Sequence, residues 1–205
     1  MQLFYTPNTI SMSVAIALQE AEIAHDLTLV DFAKAQQTDA DYLAINPKGR
    51  VPTLVVEGKA FTETGALLEL IATLAPLNNL VPTDPVQAVK MRSVLFYLAS
   101  TMHINHAHRM RGSRWANEQS SFDDMATKVP ETMAASAKYI EEECLTGPFI
   151  LGDTFSIADI YLFNICTWLA GDGVTASNYP KITTHMAMME TRTSVQKIRE
   201  LGILT

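Results

Sequence analysis

The chain has 205 residues, 48% of them hydrophobic and 18% charged, with a net charge of -7 at neutral pH. This is a globular composition, long enough for two small domains. The acidic balance argues against a nucleic-acid partner, which needs a basic surface, and no apolar run approaches the ~20 residues of a membrane span.

The start, "MQLFYTPNTI", lacks the basic and apolar regions of a secretory leader, and a strand is expected at residues 2–6. "PNT" then signals a turn, and "SMSVAIALQEAEI" reads as a helix with Val14, Leu18 and Ala21 on one face and Ser11 as N-cap. "DLTLVDF" is a second strand. "DADYLAI" is a short helix ended by Asn46-Pro47, because the residue before proline avoids the α region. "TLVV" and "AFT" flank "EGK" as a hairpin, and "GALLELIATLA" is an amphipathic helix stopped by Pro76. The order β-α-β-α-β-β-α fills residues 1–78, with the first βαβ unit parallel. "NNLVPTDPV" has no periodicity and supplies a linker at 79–86. Residues 87–205 show only helical patterns, among them "QAVKMRSVLFYLASTMHINHAHRM", "FDDMATKVPETMAASAKYIEEECL", "SIADIYLFNICTWLAG", "YPKITTHMAMMETR" and "SVQKIREL". Pro130 should start or kink its helix rather than sit within it. The expected architecture is an α/β domain followed by an all-helical one.

Pro52 stands at the mouth of the "TLVV" strand, where its missing N–H removes a ladder bond. Either it simply starts the strand, or the neighbouring backbone pairs with something other than protein. The helix from Gly65 follows directly on Glu63 and Thr64, and its free N–H groups and dipole suit a carboxylate. An ordinary N-cap is the alternative. "SIAD", Ser156 to Asp159, is a capping box and therefore structural. His103 and His106 share a helix face while His108 points elsewhere, a poor set for a metal, so none is expected. The ten methionines read as core filler. Cys144 and Cys166 form no CxxC, read as buried small hydrophobes, and fit a reducing, cytoplasmic compartment.

Taken together, "LFYTP", "DYLAINPKGRVPTL", "TET", "SIADIYLF", "YPKI" and "TSVQKI" make the chain resemble the cytosolic glutathione S-transferases, the bacterial beta class most closely. The resemblance implies a thioredoxin-like N-terminal domain, a C-terminal helical bundle, a homodimer, and glutathione as co-substrate. It implies a cis Pro52 that presents the Val51 backbone to the cysteinyl unit of glutathione, a small case of β-augmentation. Glu63 and Thr64 match the pair that receives the γ-glutamyl group, and Lys34 and Lys48 are candidates for the glycine carboxylate. The beta class has a cysteine just before the first helix; here that place is Ile10. A free thiol titrates near ~8.5, and lowering it by about two units requires ~2.7 kcal/mol. One charge-assisted hydroxyl bond supplies roughly 1.5–3 kcal/mol. Ser11 is the preferred donor, then Thr9, with Tyr5 a further candidate. His103 matches an active-site histidine of the class, although Ile104 follows where the class has lysine. Tyr97, Met102, His106 and Trp115 are expected near the electrophile. The function implied is addition of the glutathione thiolate to small electrophiles. The alternatives are a glutathione-dependent peroxidase or disulfide reductase, and a non-catalytic binding module.

Overall fold

The computed structural model describes residues 1–205. β1 (Gln2–Tyr5), α1 (Ser11–Glu20), β2 (Asp26–Leu29), α2 (Ala40–Ile45), β3 (Thr53–Val56), β4 (Lys59–Phe61) and α3 (Thr64–Leu74) follow the expected order. Helices α4 (Pro85–Tyr97), α5 (His103–Ala107), α6 (Gln119–Tyr139), α7 (Ile157–Cys166) and α8 (Pro180–Glu190) lead to α9 (Thr193–Glu200). No helix is long and apolar enough to cross a membrane.

The sheet order is β2-β1-β3-β4. β1 runs parallel to β2 and antiparallel to β3, with Leu3 opposite both Leu27 and Leu54. Leu3 and Leu54 are fully buried, so the register puts aliphatic side chains on the core face. The β3–β4 hairpin turns through Glu57 and Gly58, both at positive φ, as a tight hairpin turn requires. β2 stops at Leu29, before the expected end, because Asp31 accepts hydrogen bonds from the Ala33 and Lys34 amides and opens a 3-10 turn.

Contacts divide the chain into Met1–Pro82 with Glu190–Thr205, and Thr83–Met189. The last helix therefore belongs with the sheet, not with the helical bundle in which residues 87–205 were expected to fall. Its docking also alters α1. Every residue from Ser11 to Leu18 is buried, not one face only, because β1, α3 and α9 all pack against this helix. A bidentate ion pair clamps the junction: Arg192 Nε and Nη2 donate to Glu20 at 2.6 and 2.7 Å. Ser194 Oγ donates to the same carboxylate, and Asn78 Nδ2 donates to the Glu20 carbonyl.

The helical unit is organised around α7, all ten residues of which are buried. A helix buried on every side belongs at the centre of a bundle. Its capping box forms as expected. One Asp159 oxygen accepts from Ser156 N–H and O–H, both at 2.9 Å, and the other accepts from the Ile150 amide at 2.8 Å. α4 begins at Pro85, earlier than expected, because the Asp84 carboxylate caps the Gln87 amide. Pro130 neither starts nor ends α6 but lies inside it. Val129, Met133, Ser136 and Ala137 bury the face that keeps this helix continuous.

Candidate functional site

Two chain segments at one end of the sheet, the α2–β3 loop and the β4–α3 junction, hold Lys48, Val51, Pro52, Glu63 and Thr64. The β1–β3 ladder ends at the Phe4–Thr53 pair. The Val51 N–H and C=O lie beyond it, next to the Val51–Pro52 peptide bond, which is cis as the resemblance implies. The Val51 side chain packs against the Phe4, Val30 and Tyr42 cluster, which anchors the residue. Gly49 adopts φ +59, and a Cβ there would stand 2.8 Å from the Gln37 carbonyl oxygen, so the turn into this segment requires glycine.

Glu63 occupies φ 70, ψ 110, a strained conformation for a residue with a side chain. Its side chain is 72% exposed and pairs with Lys48, Nζ to Oε1 at 2.5 Å. Lys48 Nζ also donates to Thr62 Oγ1 at 2.8 Å. The first bond of α3 runs from Leu67 N–H to the Glu63 carbonyl, so the amides of Thr64, Gly65 and Ala66 precede it. Glu63 places no side-chain cap on them. Free helix amides beside a carboxylate suit the two charges of an amino-acid group: its carboxylate on the amides, its ammonium on Glu63. The sheet end adds a backbone donor and acceptor for an extended peptide-like ligand.

The hydroxyls at the start of α1 stand differently from expectation. Ser11 is fully buried. Its Oγ donates to the Thr6 carbonyl at 3.0 Å, accepts from the Thr6 amide at 3.1 Å, and lies 2.7 Å from Thr9 Oγ1. Thr9 is half-buried and donates to the same Thr6 carbonyl at 2.7 Å. Both hydroxyls donate to the Thr6 carbonyl, and Thr9 is the more accessible of the two. Tyr5 ends β1 and is half-buried. Lys34 follows the C-terminal end of β2, at this same end of the sheet; its side chain is 75% exposed and pairs with Asp31 on its own turn.

In the helical unit, α4 passes through a π-helical turn, Leu98–Met102, into α5, which begins at His103. His103 Nδ1 lies 3.2 Å from Tyr161 Oη, and its ring sits 5.2 Å from Trp168. His106 stacks on Trp168 at 4.1 Å, with Nδ1 2.7 Å from buried Asp172. Met102 is fully buried and cannot line a pocket; Trp115 is 44% exposed, and Tyr97 packs on Tyr139. No group of three His, Cys, Asp or Glu side chains is arranged to hold a metal. Both cysteines are free and buried. Burial pushes the Cys166 thiol up to about 12 and also raises that of Cys144.

Sequence reasoning missed Tyr42, Asn46 and Thr53, three buried polar residues that converge on the Arg50 carbonyl. The available signal lay in "DYLAINPKGRVPTL", where Tyr42, Asn46 and Thr53 stand beside Leu43, Ile45 and Leu54.

The family models for the N-terminal and C-terminal domains of glutathione S-transferase match residues 1–73 and 123–187. A solved glutathione transferase homolog from Sulfitobacter, with bound glutathione, is 57% identical, with a TM-score of 0.98 over 99% of this chain and 98% of that one. The chain belongs to the glutathione S-transferase family, a family of enzymes. The beta-class glutathione S-transferase of Sphingomonas chungbukensis is 29% identical, with a TM-score of 0.84 over 98% of both chains. Glutathione S-transferase GstA of Escherichia coli O157:H7 is 28% identical over 96% of each chain. Maleylacetoacetate isomerase of Rhizobium meliloti is 26% identical over 77% of this chain and 76% of its own.

Proposed function

We propose that the protein binds glutathione along the sheet end and adds its thiolate to small electrophiles. The observation that carries this reading is the Val51 backbone, beyond the end of the β1–β3 ladder, together with the Glu63–Thr64 helix start, a donor set for a γ-glutamyl peptide. The glutathione held by the Sulfitobacter homolog supports it. Val51 N–H and C=O take the cysteinyl unit. The α3 amides and Thr64 take the γ-glutamyl carboxylate, and Glu63 takes its ammonium. Lys34, in an exposed pair with Asp31, and Lys48, which bonds Thr62 and Glu63, are the two candidate cations for the glycine carboxylate. Thr9 donates to the thiolate at the start of α1, with Ser11 as its support. The thiolate pair forms the new C–S bond; the displaced pair departs with the electrophile's leaving group or, at an activated double bond, the π pair shifts onto the electron-withdrawing group and a proton from solvent completes the addition.

Conjugation of 1-chloro-2,4-dinitrobenzene, and the ultraviolet thiolate absorbance of the glutathione complex against pH, test the reading. The bound thiol should titrate below free glutathione, Thr9→Ala should raise that pKa most, and Ser11→Ala should chiefly lower stability. Binding without turnover and without a lowered thiol pKa would favour a non-catalytic module, and a pKa moved only by Tyr5→Phe would reassign the donor. Chemistry through a protein sulfur finds little support in Cys144 and Cys166, both buried with raised pKa.

The isomerase relatives favour a second reading. The same thiolate would add reversibly to a cis double bond conjugated to a carbonyl, and be expelled after rotation. Turnover of a cis-enone without net consumption of glutathione distinguishes it. A homodimer is supported by Val86, Val89 and Phe96, which α4 exposes along one face. Light scattering tests that state. The two free thiols suit a reducing cytoplasm.

A further inference from the structure

The peptide plane joining Arg50 to Val51 is gripped at its oxygen. Tyr42 Oη donates to the Arg50 carbonyl at 2.6 Å, and Asn46 Nδ2 donates to the same oxygen at 2.7 Å. The second Asn46 amide hydrogen goes to Thr53 Oγ1 at 2.9 Å, and Asn46 Oδ1 accepts the Lys48 amide at 3.1 Å. With the Tyr42 proton committed to Arg50, the Thr53 hydroxyl has Tyr42 Oη at 3.0 Å and the Arg50 carbonyl itself at 3.4 Å as acceptors. Every donor has an acceptor, and the three side chains are 6, 1 and 0% exposed. Burial pushes the Tyr42 phenol up, against the pull of Thr53 and Asn46, and so keeps it a donor.

One donor would satisfy the Arg50 carbonyl, yet two buried side chains hold it. A peptide unit is planar, so fixing the direction of its C=O fixes that of the N–H on the other side. Two donors on the carbonyl also polarise the amide and strengthen its N–H. That N–H belongs to Val51.

We propose that Tyr42, Asn46 and Thr53 are positioning residues, which act through the Arg50 carbonyl to aim the Val51 N–H at the cysteinyl carbonyl of glutathione. This rests on the glutathione reading above. The variants are Tyr42→Phe, which keeps the ring against Phe4 (5.7 Å between centroids), Thr53→Val and Thr53→Ser. Glutathione affinity is measured by calorimetry, and kcat with both KM values by steady-state conjugation of 1-chloro-2,4-dinitrobenzene. Tyr42→Phe and Thr53→Val should raise Kd and KM for glutathione by about 5- to 10-fold, the worth of one aimed hydrogen bond. kcat at saturating glutathione and KM for the electrophile should stay within about twofold, the signature of lost binding rather than lost chemistry. Thr53→Ser, which keeps the hydroxyl, should restore the wild-type Kd; if Tyr42→Phe fails to fold, the two Thr53 variants decide. Unchanged Kd in the variants of a glutathione-binding wild type overturns the positioning role alone. So does a parallel loss of kcat, both KM values and melting temperature, which marks a merely structural network. A wild type that does not bind glutathione overturns the functional reading and this proposal with it.

Discussion

Replacing Glu63 with alanine removes the carboxylate beside the α3 amides and should separate binding from stability. In the folded chain Glu63 pairs with Lys48, but the two side chains are 72% and 47% exposed. Exposed pairs contribute about 0–1 kcal/mol, so the melting temperature should barely change. The positive φ of 70 does not alter this, because alanine meets much the same backbone penalty as glutamate there. Binding should respond far more. A charge-assisted contact to the γ-glutamyl ammonium is worth roughly 1.5–3 kcal/mol, or about 10- to 150-fold in Kd. Removing Glu63 also leaves the Lys48 ammonium uncompensated near the incoming ammonium, which adds to the loss. Glu63→Gln keeps the shape without the charge and should fall between wild type and alanine. Calorimetric titration with glutathione is the assay, with a thermal melt of each variant as the control. A Glu63→Ala protein that binds glutathione as tightly as wild type would refute the assignment of this carboxylate to the ammonium.

Three further outcomes follow from particular contacts. Arg192→Ala leaves the Glu20 carboxylate, 13% exposed, without its bidentate partner. After allowance for solvent at the 28% exposed Arg192, the loss should be about 2 kcal/mol and the melting temperature should fall by ~4–8 °C, read by calorimetry. Asp159→Ala removes the acceptor of three buried donors and should cost about 3 kcal/mol or more, seen as a lower urea midpoint. Cys166, with its thiol raised to about 12, ionises more readily unfolded than folded. Stability should therefore decline as pH rises above ~9, by up to ~1.4 kcal/mol per pH unit for this group. Cys166→Ala should flatten that slope in urea titrations across this range.

The sequence alone determined the element order. Local rules suffice for it: Asn46-Pro47 must end a helix, "EGK" must turn, and Ser156 with Asp159 must cap. It also determined the pieces of the site that lie in continuous segments, "GRVPTL" and "TET", because neighbours in sequence remain neighbours in space there. Tertiary structure decided what depends on distant partners. α9 reads as one more amphipathic helix, and nothing local says that it will bury the second face of α1 against the sheet rather than join the bundle. Pro130 should start or kink a helix by local rule, yet α6 begins at Gln119 and continues through it, because packing of its buried face outweighs one missing hydrogen bond. Ser11 and Thr9 look equivalent as hydroxyls beside Ile10. Only the fold, by turning the Thr6 backbone onto Ser11, closes one of them in and leaves the other half open. Tyr42 and Thr53 are separated in sequence by a helix end, a turn and Pro52. Their meeting with each other beside the Arg50 carbonyl exists only once β3 has docked, because hydrogen-bond geometry is set by positions in space and not by residue type.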